Sequence, residues 1–269
     1  MPTDGQIFLL MTAVLCFLIG GVLSILRLRF PSDALRVSSK SCLYFGIVFC
    51  VGVLVWHART RQNWVPAGDN FDSLIWLGAL ISLFVVYMQE AQKLRGLDWF
   101  LMPIVMLLLG MAAVFGRVDY HEYVAGTWAW VHRVTSYGGT VAFALAAGAS
   151  IHYVIVVRKL RHKQFAGPNF GSLEKLENLT RTNVLLGFAL LTVGLVTGIM
   201  QMLGSNRAAP VSKIVFACAA WLVYAIVLHA PINPSFRGRR TAFLSMFGFA
   251  LIIGAIFALM VLPGAGGAK

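Results

Sequence analysis

The sequence predicts an all-α fold, a polytopic membrane helix bundle with about eight transmembrane helices. Of its 269 residues, 59% are hydrophobic and only 12% are charged. The mean hydropathy of +0.79 is far above that of a soluble domain. The apolar residues also come in runs of roughly 20, the length at which a helix crosses a bilayer. No stretch between the runs is long enough for a soluble domain, so we expect residues 1–269 to form one transmembrane domain.

The eight apolar runs are bounded by charged residues, Pro or Gly, which mark their ends to within a few residues. In chain order they cover residues 6–26, 41–57, 72–91, 99–116, 127–157, 183–203, 212–230 and 241–262. Between the fifth and sixth runs, Leu173, Leu176 and Leu179 recur at three-residue spacing among charged side chains. This pattern predicts a short amphipathic helix on the membrane surface.

Lysine and arginine are distributed unevenly over the loops. Fifteen of the 22 follow the first, third, fifth and seventh runs, and seven lie on the other side of the membrane. By the positive-inside rule, the side with more lysine and arginine is cytoplasmic, and both termini lie outside the cytoplasm. The net charge of +12 is then a topology signal. Membrane lipids are the expected surroundings, and no nucleic-acid partner is predicted.

Two histidines fall at similar depths on the predicted outer side. His57 ends the second run in "VLVWHARTR", and His132 lies about one helical turn inside the fifth run in "WAWVHRVTSYGG". An imidazole in or near the bilayer needs a hydrogen-bond partner or a metal. Histidines from two helices commonly hold haem iron in membrane bundles, so His57 and His132 are candidate axial ligands. The alternative is an interfacial histidine whose ring reaches water or lipid headgroups.

The helix face below His132 carries mostly small residues. At helical spacing it holds Thr135, Ser136, Gly139, Phe143, Ala146 and Ala147, and the sixth run places Gly187, Gly194 and Gly198 on nearly one face. A groove of this kind gives clearance to a flat macrocycle. Small residues equally allow two helices to approach closely, and spacing leaves both interpretations open.

Other polar residues give weaker signals. His152 and His229 fall on the predicted inner side and would, as a second haem-binding pair, make the chain a transmembrane electron carrier. Asp119, His121 and Glu122 offer metal ligands in a short loop, although a loop facing water is the simpler interpretation. No nucleophile stands in a plausible relation to a base, so we predict no catalytic residue and do not expect an enzyme.

The second half of the chain carries a specific order of motifs. It contains "WVHRVTSYGGTVAFALAAGASIHYVIVVRKL", "GSLEKLENLTRTNVLLGFALLTVGLVTGIM" and "AWLVYAIVLHAPINPSFRGRRTAFLSMFGFAL". These segments resemble the integral-membrane cytochrome c assembly family, which includes CcsA-type and HemX-type proteins. In CcsA-type synthases haem crosses the membrane and is presented outside beneath a Trp-rich loop, held by external histidines, for attachment to apocytochrome c.

The resemblance implies roles for three histidines. His132 matches the first external haem ligand, and His229 lies close to a histidine that helps to hold haem within the membrane near the cytoplasmic side. "WHARTR", which contains His57, is similar to an early histidine segment of that group.

Two departures from the synthase pattern favour the shorter HemX-like branch, which shares the fold without the Trp-rich loop. Residues 202–213, "MLGSNRAAPVSK", contain no tryptophan where the synthases carry that loop. The segment "VLPGAGGAK" contains no histidine where a second external ligand is expected. His57 is then the best candidate for the axial partner of His132.

We therefore expect a multi-pass membrane protein of a bacterial inner or plasma membrane that binds haem b. It would act in cytochrome c biogenesis or haem handling without a complete synthase site. Its expected partners are other cytochrome c assembly or respiratory-complex subunits. The alternative is a haem-free structural or partner subunit of such a complex. A small-solute transporter is disfavoured because neither an inverted repeat nor paired broken helices are recognisable.

Overall fold

Eight helices account for nearly all of the chain that can be described. The computed structural model describes residues 2–30, 32–62, 64–90, 98–116, 126–162, 172–204, 211–229 and 238–261. The helices are α1 (Asp4–Arg29), α2 (Asp33–Arg61), α3 (Asn70–Glu90), α4 (Asp98–Phe115), α5 (Thr127–Arg161), α6 (Leu173–Gly204), α7 (Val211–His229) and α8 (Arg239–Val261). Within these described ranges there is no strand, which confirms the predicted all-α fold.

Membrane-spanning length is reached by seven of the described helices. They are long and apolar enough to cross a bilayer, whereas the apolar part of α7, Ile214–His229, is shorter. Each predicted apolar run corresponds to one helix. The protein is therefore a multi-pass integral membrane protein, while the predicted side of its termini stays a prediction.

The chain divides into two compact units, residues 1–123 and 124–269. In the first unit, α1 packs on α2, α2 on α3, α3 on α4 and α4 back on α1. In the second unit, α5, α6, α7 and α8 follow one another in the same way, and α8 packs back on α5. Each unit is thus a ring of four helices in which chain neighbours are also spatial neighbours.

Close helix contacts in the first unit depend on small and hydroxylated residues. At Gly46 of α2 an added Cβ would stand 2.7 Å from the ring of Phe17, so the absence of a side chain lets that ring lie against the helix. Ser39 of α2 donates a hydrogen bond to the Gly20 carbonyl of α1 at 3.0 Å. Such contacts are the usual means by which helices associate in lipid.

The predicted surface helix around Leu176 is wrong as a separate element. Leu173–Gly204 is one continuous helix of 32 residues, and Leu176 is fully buried with 1% of its surface exposed. The leucine side of this segment therefore packs against protein and continues the membrane-spanning helix. A surface helix and a helix that extends beyond the bilayer share the same amphipathic pattern, which is why the sequence did not separate them.

Candidate functional site

His132 lies in the second unit, five residues after the first residue of α5, and its ring is held by α6. Its Nδ1 atom is 2.8 Å from the carbonyl oxygen of Gly194. A carbonyl only accepts, so Nδ1 carries the proton and donates it, and the lone pair of the neutral ring is on Nε2. Histidines that bind metals through Nε2 are oriented in this way by a backbone carbonyl on Nδ1.

Two glycines of α6 allow close packing here, and one of them, Gly198, makes room for the imidazole. A Cβ added at Gly198 would stand 3.1 Å from His132 Cε1 and 3.3 Å from Nδ1, which is tighter than ordinary packing. At Gly194 an added Cβ would stand 3.3 Å from the Ser136 hydroxyl. The ring therefore lies directly on the backbone of α6. The Gly194 carbonyl also accepts a hydrogen bond from Thr197 Oγ1 at 3.1 Å.

The rest of the small-residue face of α5 is a helix-packing surface. Below His132, an added Cβ at Gly139 would meet the Gly187 carbonyl oxygen at 3.5 Å, and one at Gly187 would meet the Phe143 ring at 2.8 Å. Phe143 also stacks on Tyr224 of α7, with ring centroids 3.7 Å apart and planes 13° apart. Of the two interpretations of this face, close helix approach therefore describes its middle part.

His57 lies in the first unit, near the end of α2, and is buried with 2% of its surface exposed. Its Nε2 atom is 2.9 Å from Asp69 Oδ2, and its Nδ1 atom is 3.2 Å from Gln6 Oε1. The orientation of the Gln6 amide is fixed, because its oxygen accepts from the Thr3 N–H at 3.2 Å and its nitrogen donates to Thr60 Oγ1 at 3.2 Å.

Both ring nitrogens of His57 therefore face oxygen acceptors. Burial opposes ionisation of Asp69, but hydrogen bonds from His57 and the Asp72 N–H, together with the Arg61 charge, lower the pKa of this carboxyl below its usual value of 3.8. Asp69 is thus an ionised acceptor. Both ring nitrogens of His57 are engaged with side chains of the protein, so neither is open to a metal.

Arg61 completes a buried ionic network at this corner of α2 and α3. It donates to Asp69 Oδ2 at 3.0 Å and also pairs with Asp72. Ligand atoms of His57, Asp69 and Asp72 lie within 4.8 Å of one another, close enough to hold a metal ion. The guanidinium already bonds both carboxylates, so it takes the place that a cation would take.

The other histidines differ in exposure. His229 is exposed at the end of α7, and its Nδ1–H donates to the Ala225 carbonyl at 2.8 Å. His152 is buried in α5, and its Nδ1 is 3.3 Å from the Gly148 carbonyl. His121, with Asp119 and Glu122, lies outside the described residues. His57 belongs to the first unit, whereas His132, His152 and His229 belong to the second.

The sequence interpretation missed the partners of His57. It predicted neither the Gln6 contact nor the Asp69 contact of this ring. A signal was nevertheless present, because His57 and Arg61 are four residues apart and Asp69 and Asp72 three apart, so each pair shares a helix face or its continuation.

Comparisons with known proteins agree with the resemblance that the sequence motifs indicate. Inner membrane protein YpjD of Escherichia coli (strain K12) is 28% identical over 223 residues, covering 78% of this chain and 83% of the relative. Cytochrome c biogenesis protein CcsA of Guillardia theta is 24% identical over 251 residues, covering 79% of this chain and 81% of the relative. CcsA of Prochlorococcus marinus is 37% identical over a shorter stretch of 90 residues, 32% of this chain and 28% of that protein.

No solved structure matches the chain. Residues 68–264, which include α3 to α8 and therefore His132 with its α6 glycines, match the family described as Cytochrome C assembly protein. This span covers well over half of the sequence and carries the motifs on which the resemblance rested. The chain is thus a member of the cytochrome c assembly protein family.

Proposed function

We propose that this protein handles haem b in cytochrome c biogenesis, with His132 as an axial ligand of the haem iron. The observation that carries the proposal is the hydrogen bond from His132 Nδ1 to the Gly194 carbonyl. That bond fixes the ring and places its lone pair on Nε2, the state in which a neutral imidazole binds iron. Family membership supplies the reason to expect haem rather than another metal centre.

The residues around His132 suit such a ligand. The ring is half-buried and lies against Gly198. Trp128 and Trp130 precede it and are 60% and 42% exposed, as expected of tryptophans at the boundary between lipid and water. Bound haem would supply an iron that cycles between ferric and ferrous states. The protein's contribution is to orient the imidazole and to keep its proton on Nδ1.

The second axial ligand is less well supported than the first. Its depth makes His57 a candidate, but its two nitrogens already contact Gln6 Oε1 and Asp69 Oδ2. Ligation by His57 would require it to give up one of these contacts. His229 has its Nδ1 on the Ala225 carbonyl, and so its lone pair is also on Nε2. His229 is therefore better oriented than His57 to bind a metal, whereas the single haem that we propose is held by His132.

The direct test is an optical spectrum of protein purified from a haem-replete host, with a pyridine haemochrome assay. We expect a Soret band that is lost in His132→Ala and retained in His57→Gln. Loss of the band in His57→Gln with normal haem in His132→Ala would contradict the assignment.

A haem-free partner subunit is the second candidate function. It is favoured by the ionic network of His57, which assigns that histidine to the structure of the first unit. In this case the protein should co-purify with cytochrome c assembly or respiratory subunits even when all six histidines are replaced, provided that it folds. Haem at one per chain would exclude this function as the sole role.

A further inference from the structure

The second unit contains a cavity of about 520 Å³ at the end where α5 and α7 finish and α6 and α8 begin. The described helix ends here carry several basic residues, among them Arg158, Lys159 and Arg239. Basic residues of this kind mark the level of the lipid headgroups. The cavity therefore lies where a hydrocarbon interior meets a charged surface, and its volume is in the range of small-molecule sites.

One wall of the cavity carries a positive and a negative charge. Glu177 and Arg181 both line it from α6, and residues four apart on a helix stand about 6 Å from each other on one face. Among the described residues, neither has an ion-pair partner within 4.0 Å. Two opposite charges are thus presented side by side to whatever occupies the cavity.

The deeper wall offers polar groups as well as apolar ones. Ser150 of α5 lines the cavity and is 1% exposed. Its hydroxyl has no hydrogen-bond partner among the described residues, which is costly for a buried group unless a ligand or water supplies one. Tyr153 and Gly238 form part of the rim, where a Cβ on Gly238 would stand 2.8 Å from the Tyr153 hydroxyl.

The remaining wall leads out to lipid. It is built from valine, leucine and alanine side chains of α6, α7 and α8. One of them, Leu185, is 50% exposed on the surface of a membrane-spanning helix. An acyl chain can follow this apolar wall from the cavity to the bilayer without crossing a polar barrier.

We propose that this cavity binds the zwitterionic headgroup of a phospholipid with a primary amine, such as phosphatidylethanolamine. The phosphate pairs with Arg181 and the ammonium donates hydrogen bonds to Glu177, one helical turn away. The ester region lies near Ser150, and the acyl chains leave along Leu185. The matched pair of charges distinguishes this ligand from a dianion, which Glu177 would repel, and from an anionic lipid without an ammonium group.

The experiment is native mass spectrometry of the full-length protein in detergent. The probes are phosphatidylethanolamine, phosphatidylcholine and phosphatidylglycerol with identical palmitoyl and oleoyl chains. We expect phosphatidylethanolamine to be retained about tenfold better than phosphatidylglycerol, the ratio that one charge-assisted hydrogen bond supplies. Glu177→Gln and Arg181→Gln should each remove this preference. Both residues are exposed, so the variants should fold.

Matched controls neutralise charges outside the cavity. Glu174→Gln lies on the same helix and Arg158→Gln at the same end of the unit, and neither residue lines the cavity. Both should keep the preference for phosphatidylethanolamine.

Equal retention of the three lipids by the wild type, or equal losses in controls and cavity variants, would overturn the proposal. Loss of haem together with an unchanged lipid preference in Arg181→Gln would overturn it too. The lipid preference does not require haem at His132, so haem-free protein that still selects phosphatidylethanolamine supports it.

Discussion

At the residue scale, His57 and His132 show how one sequence signal leads to two kinds of chemistry. Both are histidines near a helix end at similar predicted depth. The structure separates them by their partners: His132 faces the Gly194 carbonyl oxygen, whereas His57 faces an amide oxygen and a carboxylate. These partners are 62, 51 and 12 residues away in the chain. Hydropathy and spacing within one helix cannot identify contacts of this range, and so the sequence predicted the candidates but not their partners.

Gly198 offers a test of the close contact between the His132 ring and α6. In Gly198→Ala the new Cβ would press on the imidazole at 3.1 Å, and the ring would have to shift off its bond to Gly194. We expect haem binding to weaken about tenfold, as is typical when a group that orients a metal ligand is disturbed. Haem titration of the purified protein measures this. Gly110→Ala is the control, because a Cβ there meets nothing within 4 Å. Equal affinity in the two variants would show that the ring is not a ligand held by α6.

Asp69 makes the first unit sensitive to acid. Its pKa is lowered in the folded protein, so its contribution to stability is complete above the unfolded value of 3.8 and is lost as the pH falls through the lower folded value. Thermal unfolding in detergent from pH 7 to pH 2.5 should show this loss below pH 3.8. Asp69→Asn should cost about 3 kcal/mol at neutral pH, because it leaves buried charges uncompensated, and should flatten the acid profile.

Asp33→Asn is the matched control for this acid profile. Asp33 is 89% exposed and pairs only with Arg36 among the described residues, so its loss should leave the wild-type profile unchanged. An Asp69→Asn variant with the same acid profile as the wild type would mean that another group controls the transition.

At the element scale, the second unit is held together by aromatic rings lying on glycines. Phe143 lies against Gly187, and its stacking partner Tyr224 lies against Gly248 of α8, where an added Cβ would stand 2.9 Å from the ring. Tyr224 also donates a hydrogen bond to the Ser245 carbonyl at 3.1 Å. This stack joins α5, α6, α7 and α8 in one contact.

Alanine at either glycine should therefore destabilise the second unit. Because a stacked and buried ring cannot move freely, Gly187→Ala and Gly248→Ala should each cost about 1–3 kcal/mol, the usual cost of overpacking. Unfolding in mixed detergent micelles measures the change, with Gly110→Ala as a substitution of the same chemistry in open space. Wild-type stability in both variants would show that the stack is not a main contact of this unit.

Most of what the sequence predicted correctly concerns the individual helices. Eight apolar runs gave eight helices because a bilayer requires about 20 apolar residues per crossing, and this requirement is local in the chain. The prediction failed at the start of α6, where Leu176 is buried against protein. It also left the glycine faces undecided, because the same small residues admit a flat ligand or another helix, and only the position of α6 shows which.

At the scale of the whole molecule, the described helices form two rings of four, and seven of the eight are long and apolar enough to cross a membrane. The family match begins in α3 and continues through α8. Relatives named YpjD and CcsA align over most of their length, so the likeness extends over most of the helical scaffold.

The central claim is that His132 holds haem iron, and haem content in histidine variants tests it most directly. Wild type, His132→Ala, His57→Gln and His229→Ala should be purified in parallel from one haem-replete host, and the Soret absorbance per chain compared after a check of folding by gel filtration. We expect the band to be present in the wild type and in His57→Gln, and to be reduced at least about tenfold in His132→Ala. A folded His132→Ala protein with the full wild-type Soret band would contradict the claim.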